Sequence, residues 1–488
     1  MAKTLKQFLE KIKENILFSK GDENFIPQKI TSSSENCIEN SVFVAITGEK
    51  HDGHNFILEA IKKGAKAIFL EKDVDKDVIQ KIPVFYAKVS NSRLVYSLLL
   101  EEFYDNPYQK LKLIAVTGTN GKTTTTYILH NLISTKYNCG MISTVEYTMP
   151  YFREAASRTT PSPEKFQQLL SMMVKKCSFA VMELSSHGLH QQRTGSAKFA
   201  AAVFTNLSGD HLDYHKTMEN YYQAKKILFE NLLENNGYAV INSDNHYGKR
   251  LISELNNKNL ISCGLKGNPD FKITNIKYSE DGMQFYLTGK ESFKINSNLF
   301  GKHNVMNISQ AFIVAMKLGL NPKDILISLR KGIEVPGRLQ KFQLKNGAVA
   351  FVDYAHTDDA LENVLKTLNE IKKTRIICVF GCGGNRDKTK RPRMGAVAEK
   401  LSDLQIITSD NPRNEDPQEI IKQISTGIKN KNNLICIENR KDAIKYSVEI
   451  SKKSDIILIA GKGHENGQEI NGVIYPHDDC SEIKKYSI

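Results

Sequence analysis

Short apolar runs alternate with stretches of helical periodicity along nearly the whole chain, and that alternation predicts an α/β architecture. Residues 41–46 (SVFVAI) read as a strand and residues 55–64 as a helix. Residues 111–116 (LKLIAV) form a β-branched run, followed by a glycine-rich turn and a helix reaching Ile133. Further strands are predicted at residues 179–183, 200–204 and 238–242. A third series covers residues 349–353, 375–380, 404–408 and 456–459. Strands interleaved with helices argue for mostly parallel sheets covered on both faces. Two breaks divide the pattern, one near Asn106-Pro107 and one at Pro336-Gly337. The expected domains are therefore residues 1–108, 109–336 and 337–488: an N-terminal α/β domain, a central P-loop doubly wound sheet and a C-terminal Rossmann-like α/β domain. The length of 488 residues suits three such units.

Composition excludes several classes. The apolar run at residues 455–461 suits a buried strand and is far too short to span a bilayer, so no membrane insertion is expected. The first residues, MAKTLKQFL, carry no apolar segment with a cleavage site, and a cytoplasmic protein without a secretory signal is expected. Eight cysteines are scattered, and the close pair Cys378 and Cys382 has no second pair at zinc-ligand spacing; reduced thiols are the reading. The net charge of +13 is spread among asparagines and isoleucines, which points to a solvated lysine-rich surface and no nucleic-acid groove.

The strongest chemical signal is Gly118-Thr119-Asn120-Gly121-Lys122-Thr123-Thr124, between a predicted strand and a predicted helix. Backbone N–H groups at a helix N-terminus attract phosphate oxygens, glycines allow close approach, and a lysine neutralises phosphate charge. The Thr123 hydroxyl is placed to bind Mg²⁺. Val116 stands where the longer GxxxxGK[ST] pattern has its first glycine. Glu183 and His211 lie at ends of predicted strands, where an open α/β sheet builds its ligand crevice. Either alone reads as a strand-end group satisfied by hydrogen bonds; beside a phosphate loop they suit a divalent metal. By spacing alone, Lys225-Lys226 reads as a solvated helix face.

The GTNGKTT loop, together with TNLSGDHLDYH at 205–215 and YQAK at 222–225, resembles the Mur ligases and their folylpolyglutamate synthetase relatives. The similarity runs over nearly the whole chain and is nearest the diamino-acid-adding branch of the Mur ligases. It implies an ATP-dependent amide-bond ligase acting on UDP-N-acetylmuramoyl-L-alanyl-D-glutamate, with meso-diaminopimelate as the amino acid, in the cytoplasmic steps of peptidoglycan synthesis. ATP is a substrate and Mg²⁺ the metal, held by Thr123, Glu183, His211 and a CO₂-derived carbamate on Lys225. Lys122, Lys225 and His211 are the implied catalytic groups, while Asn304 and Arg338, in GKHNVMN and PGR, join the phosphate loop in contacting ATP. The N-terminal domain would bind UDP through Ser34, although Glu35 replaces the usual arginine there. Thr159 and Thr160 (TTPSP), Ser185, Gln191 and Arg193 match positions that hold the UDP-muramoyl-peptide; read alone, such Ser and Thr residues are turn or N-cap groups. Arg386, Asp410-Asn411-Pro412-Arg413, Gly461 and Glu465 match positions that clasp diaminopimelate, and without the resemblance the Asn-Pro-Arg segment is a turn. Arg413 implies diaminopimelate rather than lysine, because a guanidinium grips the carboxylate that lysine lacks. Asp358 stands for a usual proline and Cys480 for a usual arginine. A monomer is expected. A lysine-adding ligase, a folylpolyglutamate synthetase and a nucleic-acid P-loop motor are the alternatives, in that order.

Overall fold

The computed structural model describes residues 3–48, 51–74, 84–255, 259–279 and 281–488. Its contacts group into two compact units, residues 1–270 with 310–320, and residues 271–309 with 321–488.

The first unit holds two sheets. In the N-terminal sheet, strands Lys29–Thr31, Ser41–Val44, Ala65–Leu70 and Phe85–Val89 run parallel in that order, and Ile16–Lys20 adds an antiparallel edge. The predicted helix at 55–64 is a short 3₁₀ turn, Gly53–Phe56, leading into the helix Ile57–Lys62. In the second sheet, Lys112–Thr117 lies between Phe199–Phe204 and Phe179–Glu183, with Leu233–Asn242 and Asn259–Gly264 extending one side and Cys139–Ile142 the other. All these neighbours are parallel, and every residue of Phe179–Glu183 is buried, as expected for strands covered on both faces. Two antiparallel strands, Glu146–Met149 and Phe152–Ala155, extend the sheet beyond Cys139–Ile142 and were not foreseen. The strand Lys112–Thr117 is the first of its sheet, and the chain turns to opposite sides of it afterwards. Its carboxyl end is therefore the switch point at which such sheets bind ligands.

The second unit contains a six-stranded sheet ordered Gln340–Gln343, Val349–Asp353, Ile456–Ala460, Ile376–Phe380, Leu404–Ile407 and Leu434–Cys436. All but the first strand are parallel. An antiparallel ribbon of Phe271–Ser279, Gly282–Thr288 and Ser292–Ser297 also belongs to this unit. The hairpin Gly467–Ile470 and Val473–Pro476 forms a small separate sheet. Helix Asp358–Asn369 explains the Asp358 departure: Thr357 caps it, Asp358 sits in the positive first turn, and Arg393 Nε bonds its carboxylate at 2.7 Å.

Candidate active site

The phosphate loop follows Lys112–Thr117 and opens the helix Lys122–Ser134. Two glycines set its path. Gly121, at the N-cap, has φ +86°, and Gly118 has φ +149°, where an added Cβ would overlap the Thr205 hydroxyl. Thr205 is itself fixed, bonding the Thr117 and Asn120 carbonyls at 3.3 and 2.6 Å. Asn206 accepts from the Asn120 N–H at 3.0 Å, and Thr119 Oγ1 lies 3.2 Å from the Tyr221 hydroxyl. Lys122 curls back over the loop and donates to the Gly118 and Thr119 carbonyls at 3.0 and 2.8 Å. Thr124 is buried in the first turn of the helix.

Glu183 ends the strand beside the loop and is fully buried. Thr123 Oγ1 donates to its Oε2 at 3.1 Å, as does Thr144 Oγ1 at 3.0 Å, while the Thr144 N–H reaches Oε1 at 2.8 Å. A hydroxyl and a carboxylate in contact at a phosphate loop are the hard oxygen donors Mg²⁺ takes. Among the described residues no cluster of three or more His, Cys, Asp and Glu side chains could hold a metal. The donors fit a cation that takes few protein ligands and completes its shell with phosphate and water. Thr144 carried no sequence signal.

Lys225 is not on a solvated face. It is 1% exposed on the helix Met218–Ile227, donates to the Gly118 carbonyl at 2.9 Å and lies 4.8 Å above the Tyr221 ring. Burial, and then the nearby Lys122 charge, hold its ammonium well below the ordinary lysine range. Lys226, its neighbour, is the residue that pairs outward, with Glu230 and Glu254. His211 is in the left-handed region, φ +54°, and burial with the Lys122 and Lys225 charges lowers its pKa against the opposing pull of Asp210. Its ring stands 5.0 Å from His187, in a cluster that includes His215 and Tyr214.

In the same unit, a cavity of about 460 Å³ is lined by Thr31, Ser32, Ser33, Asn36, Arg93, Tyr96, Arg158, Glu164, Gln191 and Arg193, with Ile46, Ser162 and Pro163. Three guanidinium groups give it the character of an anion site. Of the proposed muramoyl-peptide residues, Gln191 and Arg193 line it, and they are bonded to each other at 2.8 and 3.1 Å. Burial, then Arg158, pushes Arg193 down to about 10. Ser34 is buried in a 3₁₀ turn and does not line the cavity, whereas Ser32 and Ser33 do. Glu35 is exposed in that turn. Thr160 is fully buried and ties the segments together: it donates to the Glu183 carbonyl at 3.0 Å, accepts from the Ser185 N–H at 2.9 Å, and its carbonyl takes Arg193 Nη1 at 2.6 Å. Thr159 Oγ1 lies 3.1 Å from Thr144 Oγ1, within hydrogen-bond distance. Ser185 serves as the N-cap of the helix Ser186–His190, the structural duty its type suggests. Arg93 and Arg158 carry no motif signal of their own, although Arg158 directly precedes the Thr-Thr-Pro segment.

In the second unit, Asp410, Asn411 and Pro412 are buried after the strand Leu404–Ile407, and Arg413 follows at φ +53°. Arg413 Nε donates to Glu469 Oε2 at 2.8 Å and Nη1 to the Gly384 carbonyl at 2.9 Å. Asn411 Nδ2 and the buried Lys462 both reach Glu465 Oε2 at 3.0 Å. Gly461 lies against the Asp410 carboxylate, and Arg386, exposed, borders Gly383 together with the Arg413 guanidinium. The loop after Ile376–Phe380 thus meets the Asp410–Arg413 turn, and Gly384 N–H bonds the Asn411 carbonyl at 2.8 Å. Lys462 and Glu469 are additions of the structure. Arg338 packs 4.9 Å over the Tyr354 ring, and its buried Nε has no hydrogen-bond partner. Asn304 turns inward, donating to the Phe300 carbonyl at 2.7 Å and accepting from Asn307 Nδ2 at 2.8 Å. Cys480 Sγ contacts Gln340 Oε1 at 3.3 Å, and burial pushes its thiol up to about 12. A guanidinium nearby is Arg440, wholly buried and paired with Asp479 at 2.7 Å.

The family models described as "Mur ligase family, catalytic domain", "Mur ligase middle domain" and "Mur ligase, glutamate ligase domain" match residues 28–104, 116–315 and 337–463. The chain is 42% identical to UDP-N-acetylmuramoyl-L-alanyl-D-glutamate--2,6-diaminopimelate ligase 1 of Clostridium acetobutylicum, over 98% of each. It is 39% identical to the ligase of that name from Clostridium tetani, over 99% of this chain and 98% of the relative. A solved structure of a UDP-N-acetylmuramoyl-L-alanyl-D-glutamate--2,6-diaminopimelate ligase superimposes with a TM-score of 0.70 at 33% identity, covering 100% of this chain and 99% of that one. With its three characteristic segments in order and such relatives along its whole length, the chain belongs to the Mur ligase family.

Proposed function

We propose that the chain is an ATP-dependent ligase joining meso-diaminopimelate to the D-glutamate of UDP-N-acetylmuramoyl-L-alanyl-D-glutamate, in the cytoplasmic assembly of peptidoglycan precursor. The observation that carries the reading is the Asp410–Arg413 turn. Its guanidinium, flanked by Arg386, suits the distal carboxylate of a diamino diacid, and the whole-length relatives bear the corresponding name. A carboxylate is a poor electrophile, so amide formation begins with activation. The glutamate γ-carboxylate attacks the γ-phosphorus of ATP, giving an acyl phosphate and ADP; the amine then attacks the acyl carbon and phosphate leaves.

In this reading the loop residues 118–124 bind the phosphates through backbone N–H groups, and Lys122 swings from its carbonyl contacts to the transferring phosphoryl. Thr123, Glu183, His211 and a carbamate on Lys225 would hold Mg²⁺, whose chemistry is neutralisation of phosphate charge. The buried Lys225 supports carbamylation: a depressed pKa enlarges the free-amine fraction, and the amine nitrogen bonds CO₂ carbon with loss of one proton. The arginine-lined cavity, with Gln191, Arg193, Thr159, Thr160 and Ser185 on or beside it, takes the UDP-muramoyl-peptide; Ser32 and Ser33 replace Ser34 as the hydroxyls facing that ligand. Asp410, Asn411, Arg413, Gly461 and Glu465 receive the amino acid, and the boundaries near 108 and 336 separate the three binding tasks. The chain acts as a monomer. No helix of the described residues is long and apolar enough to cross a membrane. The experiment is ADP release from the purified protein with UDP-muramoyl-dipeptide and either meso-diaminopimelate, lysine or no amino acid. Release that requires the dipeptide and is strongest with diaminopimelate is expected; a preference for lysine, or stimulation by nucleic acid alone, overturns the reading.

A further inference from the structure

We propose that Glu469 is a specificity-determining residue: a carboxylate of the chain's own that engages Arg413 before the incoming amino acid does and competes with that amino acid's distal carboxylate. The inference rests on the diaminopimelate reading above and deepens it. The strand Gly467–Ile470 lies directly on the Asp410–Arg413 turn. Arg413 N–H donates to the Glu469 carbonyl at 3.0 Å, Asn471 N–H to the Arg413 carbonyl at 2.8 Å, and Glu469 N–H to Asn411 Oδ1 at 2.9 Å. Gln468 Nε2 adds bonds to the Asp410 carbonyl at 2.6 Å and Ser409 Oγ at 3.1 Å. The strand therefore fixes Arg413 in its left-handed conformation and delivers the Glu469 side chain to the guanidinium.

Occupancy of the fork follows from the donors. A carboxylate gripped by arginine takes two parallel N–H bonds from one edge of the planar group. Here Nε is committed to Glu469 Oε2 at 2.8 Å, which puts one donor of the Nε edge in use, and one Nη1 hydrogen serves the Gly384 carbonyl at 2.9 Å. A ligand carboxylate that takes the Nε edge through two bonds must displace Glu469. Gly384 contributes backbone, held by its own N–H bond to the Asn411 carbonyl, whereas the Glu469 side chain is 39% exposed and can swing away. Glu465 plays no such part, because Lys462 and Asn411 already hold it. Two consequences follow for substrate choice. Diaminopimelate binds against an internal competitor. An amino acid without the distal carboxylate leaves Glu469 in place, so Arg413 stays paired and the penalty that would reject such a substrate is softened.

The test uses full-length Glu469→Gln, which keeps an acceptor oxygen and removes the charge, and Glu469→Ala, which removes both, each checked for an unchanged melting profile. In the ADP-release assay both variants should show a KM for meso-diaminopimelate lowered roughly three- to fivefold, the range a half-exposed ion pair can set. The preference for diaminopimelate over lysine should widen by a similar factor. If Glu469 only props Arg413 in position, Glu469→Gln leaves the KM unchanged and Glu469→Ala raises it; either result overturns the proposal. A wild-type protein that does not use diaminopimelate sinks the functional reading itself, which is a separate and recognisable outcome.

Discussion

Replacing Glu183 by glutamine isolates charge from shape at the centre of the phosphate site. The carboxylate is fully buried and accepts three hydrogen bonds, from Thr123 Oγ1, Thr144 Oγ1 and the Thr144 N–H, at 3.1, 3.0 and 2.8 Å. In Glu183→Gln the amide oxygen can stay on the Thr144 N–H, and both threonine hydroxyls can rotate to accept from the new NH₂ group. Thr144 can then donate to Thr159 Oγ1, and the Thr123 hydroxyl hydrogen alone must find a new acceptor, so the fold should lose about 1 kcal/mol. For a chain of several domains that is a Tm shift of roughly 2–4 °C. Turnover should respond on a different scale. A preorganised charged group at a phosphoryl-transfer site is worth about 10²–10³ in kcat, some 2.7–4 kcal/mol, because the low-dielectric site magnifies it. The assay is ADP release with saturating UDP-muramoyl-dipeptide and diaminopimelate while Mg²⁺ is titrated, alongside thermal melts. The half-saturating Mg²⁺ concentration should rise together with the fall in kcat. A well-folded Glu183→Gln protein turning over within threefold of wild type at limiting Mg²⁺ would refute the reasoning and return Glu183 to the role of a strand-end residue satisfied by hydrogen bonds.

Further outcomes follow from the same geometry. Lys225→Ala should fold, since the side chain's one hydrogen bond is to the Gly118 carbonyl, yet be nearly inactive, with formate restoring part of the activity; full activity, or an unmodified mass for a fully active wild-type protein, removes the carbamate. Arg413→Ala should lower kcat/KM for diaminopimelate about a hundredfold or more and narrow its preference over lysine in an equal-concentration competition; retention of full discrimination contradicts the assignment. His215 is pushed down to about 4, first by burial and then by the charges of His187 and His190. The unfolded chain therefore takes up this proton near pH 6.5 while the folded one resists it, so stability is complete above about pH 6.5 and falls as pH drops toward 4. Melting temperatures should show that slope, and His215→Asn should reduce it, leaving the share of His303 and His464, which burial also pushes down to about 4.

How much of this was legible in the sequence depended on whether a feature is local. The parallel strands at 179–183 and 349–353 fall where their apolar runs lie, because a strand buried on both faces must be apolar throughout. The strands Phe271–Ser279, Gly282–Thr288 and Ser292–Ser297 carry no such run, since they mix lysines, asparagines and serines with apolar residues and owe their form to pairing with each other. Among the site residues, Thr123 and Glu183 were readable as a pair because each ends or begins an element at the switch point. Asn304 and Ser34 stand at motif positions, and the structure turns both inward, bonding Asn304 to Phe300 and Asn307 and leaving Ser34 outside the cavity.

The class of fold, the phosphate loop and the acidic, basic and hydroxyl groups from which a site could be built are legible along the chain. These are properties of contiguous segments, where glycine conformations, apolar runs and helix starts obey short-range sterics. Only the packing of distant segments puts Lys225 in the interior against Gly118 and leaves Lys226, partly buried, to pair with Glu230 and Glu254. It also decided that Thr144 completes the Glu183 site from 39 residues away and that Glu469 reaches Arg413 across 56. Such contacts depend on how helices and hairpins pack over distant strands, and neither periodicity nor spacing along the chain carries that information.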